Sequence, residues 1–264
     1  ELALQGGNGS LCWHEWGADP GDDPDDIATW AKANPGPVQL DAIKAERIEL
    51  SDRAFRTERL NEFPTVEGVQ NVFNVDDWKK LVEDAPSGER VAAIGVDSSP
   101  EGHFAVAVCR LLPDDRKHVR LAMVTGANAD PLMVQDQIVE WARRKIPVAI
   151  YSDSLAAEMI EPLESRRVRV KVVGVRDISR AATMFSSEIK FGRLTHEQPR
   201  NRDGSVNPVF DDAVKAAVAL PVGDGGLWKP GSDGTAIISP VVAAILAVFG
   251  AAGEKRRSGG ATFA

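Results

Sequence analysis

Hydrophobic positions concentrate in short β-rich runs through the middle of the chain. Val91 to Val96, Phe104 to Leu112 and Val119 to Val124 form three such runs, joined by loops short enough for an antiparallel meander. The pattern then predicts a helix from Asp130 to Lys145. Asp130 suits its N-cap, Pro131 its first turn, and Arg143, Arg144 and Lys145 the negative end of its dipole. A buried strand follows from Pro147 to Tyr151 and ends in Ser152-Asp153-Ser154. A helix from Leu155 to Ser165, a strand from Arg169 to Val175 and a helix from Ile178 to Phe191 complete the series.

Three hairpin-linked strands followed by alternating helices and strands read as an α/β fold. The order is that of an RNase H-like mixed sheet, three antiparallel strands and then parallel ones, with helices on both faces. The flanking sequence is less regular. Before the sheet, the acidic run DPGDDPDD leads into a helix from Asp26 to Ala33. Two charged amphipathic helices span Asp41 to Phe63 with a break near Leu50-Ser51-Asp52, and a short helix runs from Asp76 to Glu83. Ala85-Pro86-Ser87-Gly88 is the expected domain boundary. After the sheet, Arg193 to Asn207 reads as a mobile polar loop and Pro208 to Leu220 as a helix. Gly223-Asp224-Gly225-Gly226, a short strand Leu227 to Lys229 and the Gly231-Ser232-Asp233-Gly234 turn come next. A strongly apolar helix from Pro240 to Phe249, with Ser239 as its expected N-cap, ends the ordered pattern.

Composition narrows the function classes without naming one. In 264 residues, 43% are hydrophobic and 27% charged, enough for a substantial core. A net charge of −8 excludes a uniformly basic nucleic-acid coat but not a local basic groove. The two cysteines, Cys12 and Cys109, form no CxxC pair, so neither a disulfide framework nor a structural zinc site is indicated. No signal peptide is read and apolar runs such as Val241 to Phe249 are too short to span a bilayer, so a cytoplasmic, reducing location and no membrane partner are expected. Gly6, Gly7 and Gly9 lack the Lys-Ser/Thr that completes a phosphate-binding loop. The aspartates between Asp19 and Asp26 lack EF-hand spacing and read as a solvated turn and helix start.

The chemistry-bearing constellation is Asp97, Asp153 and Asp233. Asp97 and Asp153 end predicted strands, and Asp233 lies just before the last apolar helix. Neighbouring strands bring their equivalent ends together, and converging carboxylates repel unless cations join them. Hard oxygen ligands favour Mg²⁺ or Mn²⁺, and two such ions roughly 4 Å apart support phosphodiester cleavage without a covalent nucleophile. Taken singly, Asp97 also suits a turn, Asp153 a helix cap and Asp233 a Gly/Ser turn. Asp211, Asp212 and Glu101 are lower-ranked acids, and His103 and His196 lower-ranked proton carriers. Lys190, Arg193, His196 and Arg180 are the candidate phosphate contacts, with Arg176, Arg200 and Arg202 nearby in sequence. No aromatic stacking platform or helix-turn-helix pattern accompanies them.

Several stretches resemble the C-terminal portion of bacteriophage terminase large subunits, especially those of actinobacterial tailed phages. They are LCWHEWGADP, FRTERLNEF, AAIGVDSSPEGHFAVAV, AIYSDS, FDDAVKAAV with GLWKPGSDG, and ISPVVAAILAVFG. The resemblance implies a metal-dependent nuclease that cuts concatemeric double-stranded DNA with two divalent cations, Mg²⁺ or Mn²⁺, held by Asp97, Asp153 and Asp233. It implies residues 1–35 as the last piece of a packaging ATPase, 36–88 as a helical linker and 89–252 as the nuclease, while the basic, small-residue composition of 253–264 reads as a disordered tail. The Walker motifs that should precede them are absent, so the chain reads as a fragment or a split gene product. Implied partners are the ATPase portion, the portal protein and the small terminase subunit, in the host cytoplasm. Ile237 departs from the family, where an acid often precedes ISP, which leaves Asp233 as the third ligand. Two other classes compete: a docking module of the motor that no longer cuts, and an actin-like or sugar-kinase-fold ATPase. The latter needs a second duplicated domain for which the chain has no room.

Overall fold

In β1 (Val91–Ser98) small and large residues alternate, and successive side chains of a strand point to opposite faces. Ala93 joins one core cluster, while Ile94 and Val96 join another. The same alternation holds in β2 (Phe104–Leu111), where Ala105, Ala107 and Cys109 lie on the first face and Val106 and Val108 on the second. One face of the sheet is therefore built from small residues, which allows a helix to approach closely. The computed structural model that carries these features describes residues 16–19, 21–37, 39–50, 52–62, 71–84, 90–142, 145–222 and 227–252. It divides into two compact units, Glu1–Gly68 and Val69–Ala264.

In the first unit, α1 (Ile27–Ala33), α2 (Leu40–Glu49) and α3 (Asp52–Glu58) enclose a small core of Trp30, Ala33, Ile43, Phe55 and Leu60. Asp26 caps α1 by accepting the Ala28 N–H, and Leu50 leaves the helical conformation where the break is expected. The acidic run is tied to cations of the same unit, Asp22 to Lys32 at 3.0 Å and Asp25 to Arg47 at 2.8 Å.

The second unit carries α4 (Val75–Lys79) and a six-stranded mixed sheet. Its strands are β1, β2, β3 (Lys117–Val124), β4 (Val148–Tyr151), β5 (Val170–Val173) and β6 (Leu194–His196), in the order β5-β4-β1-β2-β3-β6. The β1-β2-β3 meander is antiparallel, and β4, β5 and β6 each join in parallel. On the face of larger residues lie α5 (Pro131–Ala142), a 3₁₀ turn at Leu155–Met159 and α6 (Ile160–Ser165), which contribute Val134, Ile138, Met159 and Leu163 to the core. The opposite face holds α7 (Val175–Lys190), α8 (Val209–Ala216) and α9 (Ser239–Ala251). The α/β mixed sheet with helices on both faces thus matches the expectation.

α9 is buried almost all round, as a helix apolar on every side must be. It lies along β1 with its backbone against the strand. A Cβ on Gly95 would stand 2.0 Å from the Ala243 carbonyl oxygen and 2.4 Å from the Ala247 nitrogen, and one on Gly250 would meet Ala93 at 2.9 Å. The helix therefore starts beside the C-terminal end of β1 and runs back along it.

Three expectations need correction. Arg193 to Asn207 is not all loop, because Leu194–His196 pairs with β3 and its three side chains are buried. The predicted helix Pro208 to Leu220 stops at Ala216, and β7 (Ala217–Val222) turns back against β8 (Leu227–Ser232) as a two-stranded sheet. Pro221, which has no N–H for a helical bond, is accommodated there. Ser239 is the first residue of α9 rather than its cap, which is Ile238. The glycine run Gly6 to Gly9, the boundary 85–88, the turn 223–226 and the tail 253–264 lie outside the described residues. Among the described residues, no helix is long and apolar enough to cross a membrane.

Gly95→Ala is expected to destabilise the second unit by about 3 kcal/mol or more, since backbone cannot retreat as a side-chain end can. Gly126→Ala, where a Cβ meets nothing within 4 Å, is expected to stay within about 1 kcal/mol of the parent. Urea unfolding of the two variants measures both; equal midpoints would contradict the backbone contact between α9 and β1.

Candidate active site

The parallel register pairs Val96 of β1 with Ile150 of β4. One position further on, Asp97 and Tyr151 are neighbours at the C-terminal edge of both strands. Asp97 shares the small-residue face with Ala93 and Gly95, where α9 begins. It is only 6% exposed. Burial pushes its carboxyl up to about 7, against the opposing pull of hydrogen bonds from the Ser239 hydroxyl, the Ser98 N–H and the Ser154 hydroxyl. Ser154 also lies 3.1 Å from the Tyr151 carbonyl oxygen, so its single proton serves one acceptor at a time. The groups acting on Asp97 among the described residues are hydroxyls and an N–H, with no cationic side chain among them.

Asp153 stands just beyond β4 and is exposed. The Tyr151 hydroxyl donates to its Oδ2 at 3.1 Å and the Ser152 hydroxyl to its Oδ1 at 2.9 Å. Burial pushes the Tyr151 phenol up to about 12, with help from the hydrogen bond to Asp153 and the charges of Asp153 and Asp97. Tyr151 therefore senses both acids and remains a donor at neutral pH. Lys229 of β8 brings a cation to the same place, its Nζ 5.9 Å from the Tyr151 ring centre.

Asp233 is turned into its own loop. Its Oδ1 accepts both the Thr235 N–H at 2.8 Å and the Thr235 hydroxyl at 2.6 Å, and these bonds hold its carboxyl below the usual range. Among the described residues, no three His, Cys, Asp or Glu side chains form a group that could hold a metal ion. Asp97 and Asp153 carry hard oxygen donors, the type a divalent cation such as Mg²⁺ takes, and a complete protein ligand group is absent among the described residues.

The expected phosphate contacts separate. Lys117, the first residue of β3, donates its backbone N–H to the Arg193 carbonyl, which puts Arg193 and Lys190 at the sheet edge opposite Asp97. There they flank Phe191, which is 62% exposed, at 5.1 and 5.7 Å from its ring centre. His196 is fully buried, stacked on Trp78 with ring centres 3.7 Å apart and its Nε2 3.0 Å from the Trp78 carbonyl oxygen. It is a core residue, not a phosphate contact. Arg180 is exposed on α7, which starts at the acid edge, and pairs with Asp177 at 3.3 Å. Asp211 is half-buried and accepts from Trp78 and Gln198, whereas Asp212 is exposed. Glu101 and His103 sit in the β1-β2 turn; Glu101 is held low by the Ser99 hydroxyl, and His103 Nδ1 lies 3.1 Å from the Thr125 carbonyl oxygen. Sequence reasoning passed over Tyr151, Ser154, Lys229 and the true place of Ser239. Only the first two had a signal, their adjacency to Asp153.

No family model and no curated protein matches the chain. Among solved structures it is similar to the large terminase of bacteriophage HK97, with a TM-score of 0.62 at 18% identity over 94% of this chain and 58% of that one. The chain thus spans 58% of the length of that protein. It is also similar to the large terminase nuclease of thermophilic phage G20c with bound cobalt, with a TM-score of 0.49 at 12% identity over 67% and 95% of the two chains. A mutant nuclease domain of the large terminase subunit of bacterial virus Sf6, with manganese and beta-thujaplicinol, gives 0.48 at 8% identity over 69% and 98%. These neighbours are phage large terminases, as the sequence motifs implied, and the likeness to the HK97 protein shows a shared fold, whose mixed sheet with helices on both faces is the RNase H-like arrangement expected from the sequence.

The raised carboxyl of Asp97 has a signed consequence for stability. Its folded value lies above the unfolded 3.8, so the native state retains a proton that the unfolded chain releases. Stability is lost as pH rises from about 4 to about 7, by on the order of 4 kcal/mol in total. In EDTA, Asp97→Asn is expected to be more stable than the parent by roughly 2 to 4 kcal/mol at pH 8, with the gain fading toward pH 4. Urea unfolding across that range measures it; a pH-independent difference would mean that Asp97 titrates as an ordinary acid.

Proposed function

We propose that this chain is the DNA-cutting region of a phage packaging terminase, hydrolysing phosphodiester bonds of concatemeric double-stranded DNA. The observation that carries the reading is the buried Asp97 near the C-terminal end of β1, with Asp153 just beyond the end of the paired strand β4, since a buried carboxylate costs free energy unless a cation joins it. A divalent cation bound there, Mg²⁺ or Mn²⁺, supplies Lewis acidity to a phosphoryl oxygen and eases deprotonation of water. Asp97 and Asp153 are the residues that hold it. Lys229 adds positive charge near the scissile phosphate, and Arg180 on the same side of the sheet neutralises backbone phosphates further along the duplex. Water attacks phosphorus, the bond to the leaving oxygen breaks, and that oxygen takes up a proton. The two-ion form of the mechanism requires Asp233 to leave Thr235, or substrate oxygens to complete the second ligand set. The proposed partners are double-stranded DNA, the ATPase portion of the large terminase, the portal protein and the small subunit, with the host cytoplasm as the place of assembly.

The bonds that hold Asp233 in its own turn favour one other reading, a docking module of the motor that binds without cutting. Supercoiled plasmid separates the two. The full chain is expected to nick it with Mn²⁺ or Mg²⁺ and not in EDTA, and Asp97→Asn and Asp153→Asn are each expected to lose about 100-fold or more of that rate, as removal of a charge-stabilising group does. Metal-dependent nicking no greater than that of Asp97→Asn sinks the nuclease reading and leaves the docking module.

A further inference from the structure

We infer that Tyr151 is a positioning residue of this site, whose hydroxyl sets the direction of the Asp153 carboxylate for cation binding; the inference rests on the reading of Asp97 and Asp153 as ligands. Asp153 lies beyond the end of β4 and is exposed, so nothing in its own packing selects a rotamer. Its two donors differ in kind. Ser152 is exposed in the turn after β4, with no core packing around its hydroxyl. Tyr151 is the last residue of β4, only 7% exposed within the cluster that contains Ala149, Val173 and α9. The hydroxyl at the end of its ring is therefore held by the core, and it reaches Asp153 Oδ2 at 3.1 Å.

The register gives this contact its value. The pairing of Val96 with Ile150 leaves Asp97 and Tyr151 each one position further along neighbouring strands, so the ring that reaches Asp153 is rooted next to the strand position of the buried acid. By occupying one lone-pair direction of Oδ2 it turns the remaining oxygen positions of Asp153 toward a ligand shared with Asp97. Outer partners that orient metal ligands in this way typically account for about 10- to 100-fold in metal affinity.

The chain contains a single tyrosine, so labelling tyrosine with ¹³C at Cζ yields one resonance that reports on this contact alone. Mn²⁺ and Mg²⁺ binding to the full chain is measured by calorimetry for the parent and for Tyr151→Phe, and the labelled resonance of the parent is followed during Mg²⁺ addition. The expected result is a cation affinity weakened about 10-fold or more in Tyr151→Phe, with an unchanged melting temperature in EDTA and a Tyr151 resonance that moves as Mg²⁺ binds. Nicking by Tyr151→Phe is expected to recover toward the parental maximum as Mn²⁺ is raised, which a merely structural role would not produce. If the parent binds the cation, Asp97→Asn does not, and Tyr151→Phe binds as tightly as the parent, the positioning role is overturned while the ligand reading stands. If the parent binds no cation, the ligand reading falls, and the inference with it. A lowered melting temperature of Tyr151→Phe in EDTA, with affinity loss matching the unfolded fraction, also overturns it.

Discussion

A helix can lie with its backbone against a strand only where the strand offers no side chain, and Gly95 is that place in this molecule. The bare patch lets the Ala243 and Ala247 backbone of α9 reach β1, and the small side chains of β1 and β2 extend it across the sheet. Depth and direction of α9 follow from it. Because the helix starts at the C-terminal end of β1, Ser239 arrives against Asp97 and closes it from water. The unusual acid of the site is thus a product of helix-to-strand packing as much as of its own position.

The sheet has two chemically different edges. At one, parallel β1, β4 and β5 end together, and acids gather with hydroxyl donors and a lysine from the β7-β8 hairpin. At the other, α7 ends and β6 begins, and two cations flank an exposed phenylalanine. Chain direction alone produces this separation, because a helix that follows a parallel strand carries the chain back to the opposite edge. Lys190 and Arg193 therefore lie at the edge away from Asp97, whereas Lys229, far from Asp97 in sequence, comes near Tyr151.

How far the sequence was legible follows from the same geometry. The meander, the alternating elements and the small-large alternation of β1 and β2 are local patterns, and they identified the sheet and both strand-end aspartates. What escaped depends on tertiary contact. Leu194 to His196 is too short and too polar to announce a strand, yet Trp78 stacks on His196 and β3 supplies the bonds. Ala217 to Val222 continues a helical pattern until β8 offers a partner. Asp233 looks in sequence like Asp97, an acid at the end of an element, but Thr235 two residues on satisfies it locally. Ser239 occupies a typical capping position and is instead committed to an acid from the other half of the chain.

The contact between Ser239 and Asp97 joins residues separated by more than half the chain, and α9 is the last described element to be made during synthesis. Until it docks, the Gly95 patch of β1 lacks its covering helix and Asp97 lacks the Ser239 hydroxyl. Such non-local closure is slow to form compared with a hairpin, and domains tend to acquire structure in the order of translation. The acid edge therefore comes into being in one late event, when the final helix docks. A nascent chain that holds the meander does not yet hold the Ser239–Asp97 contact.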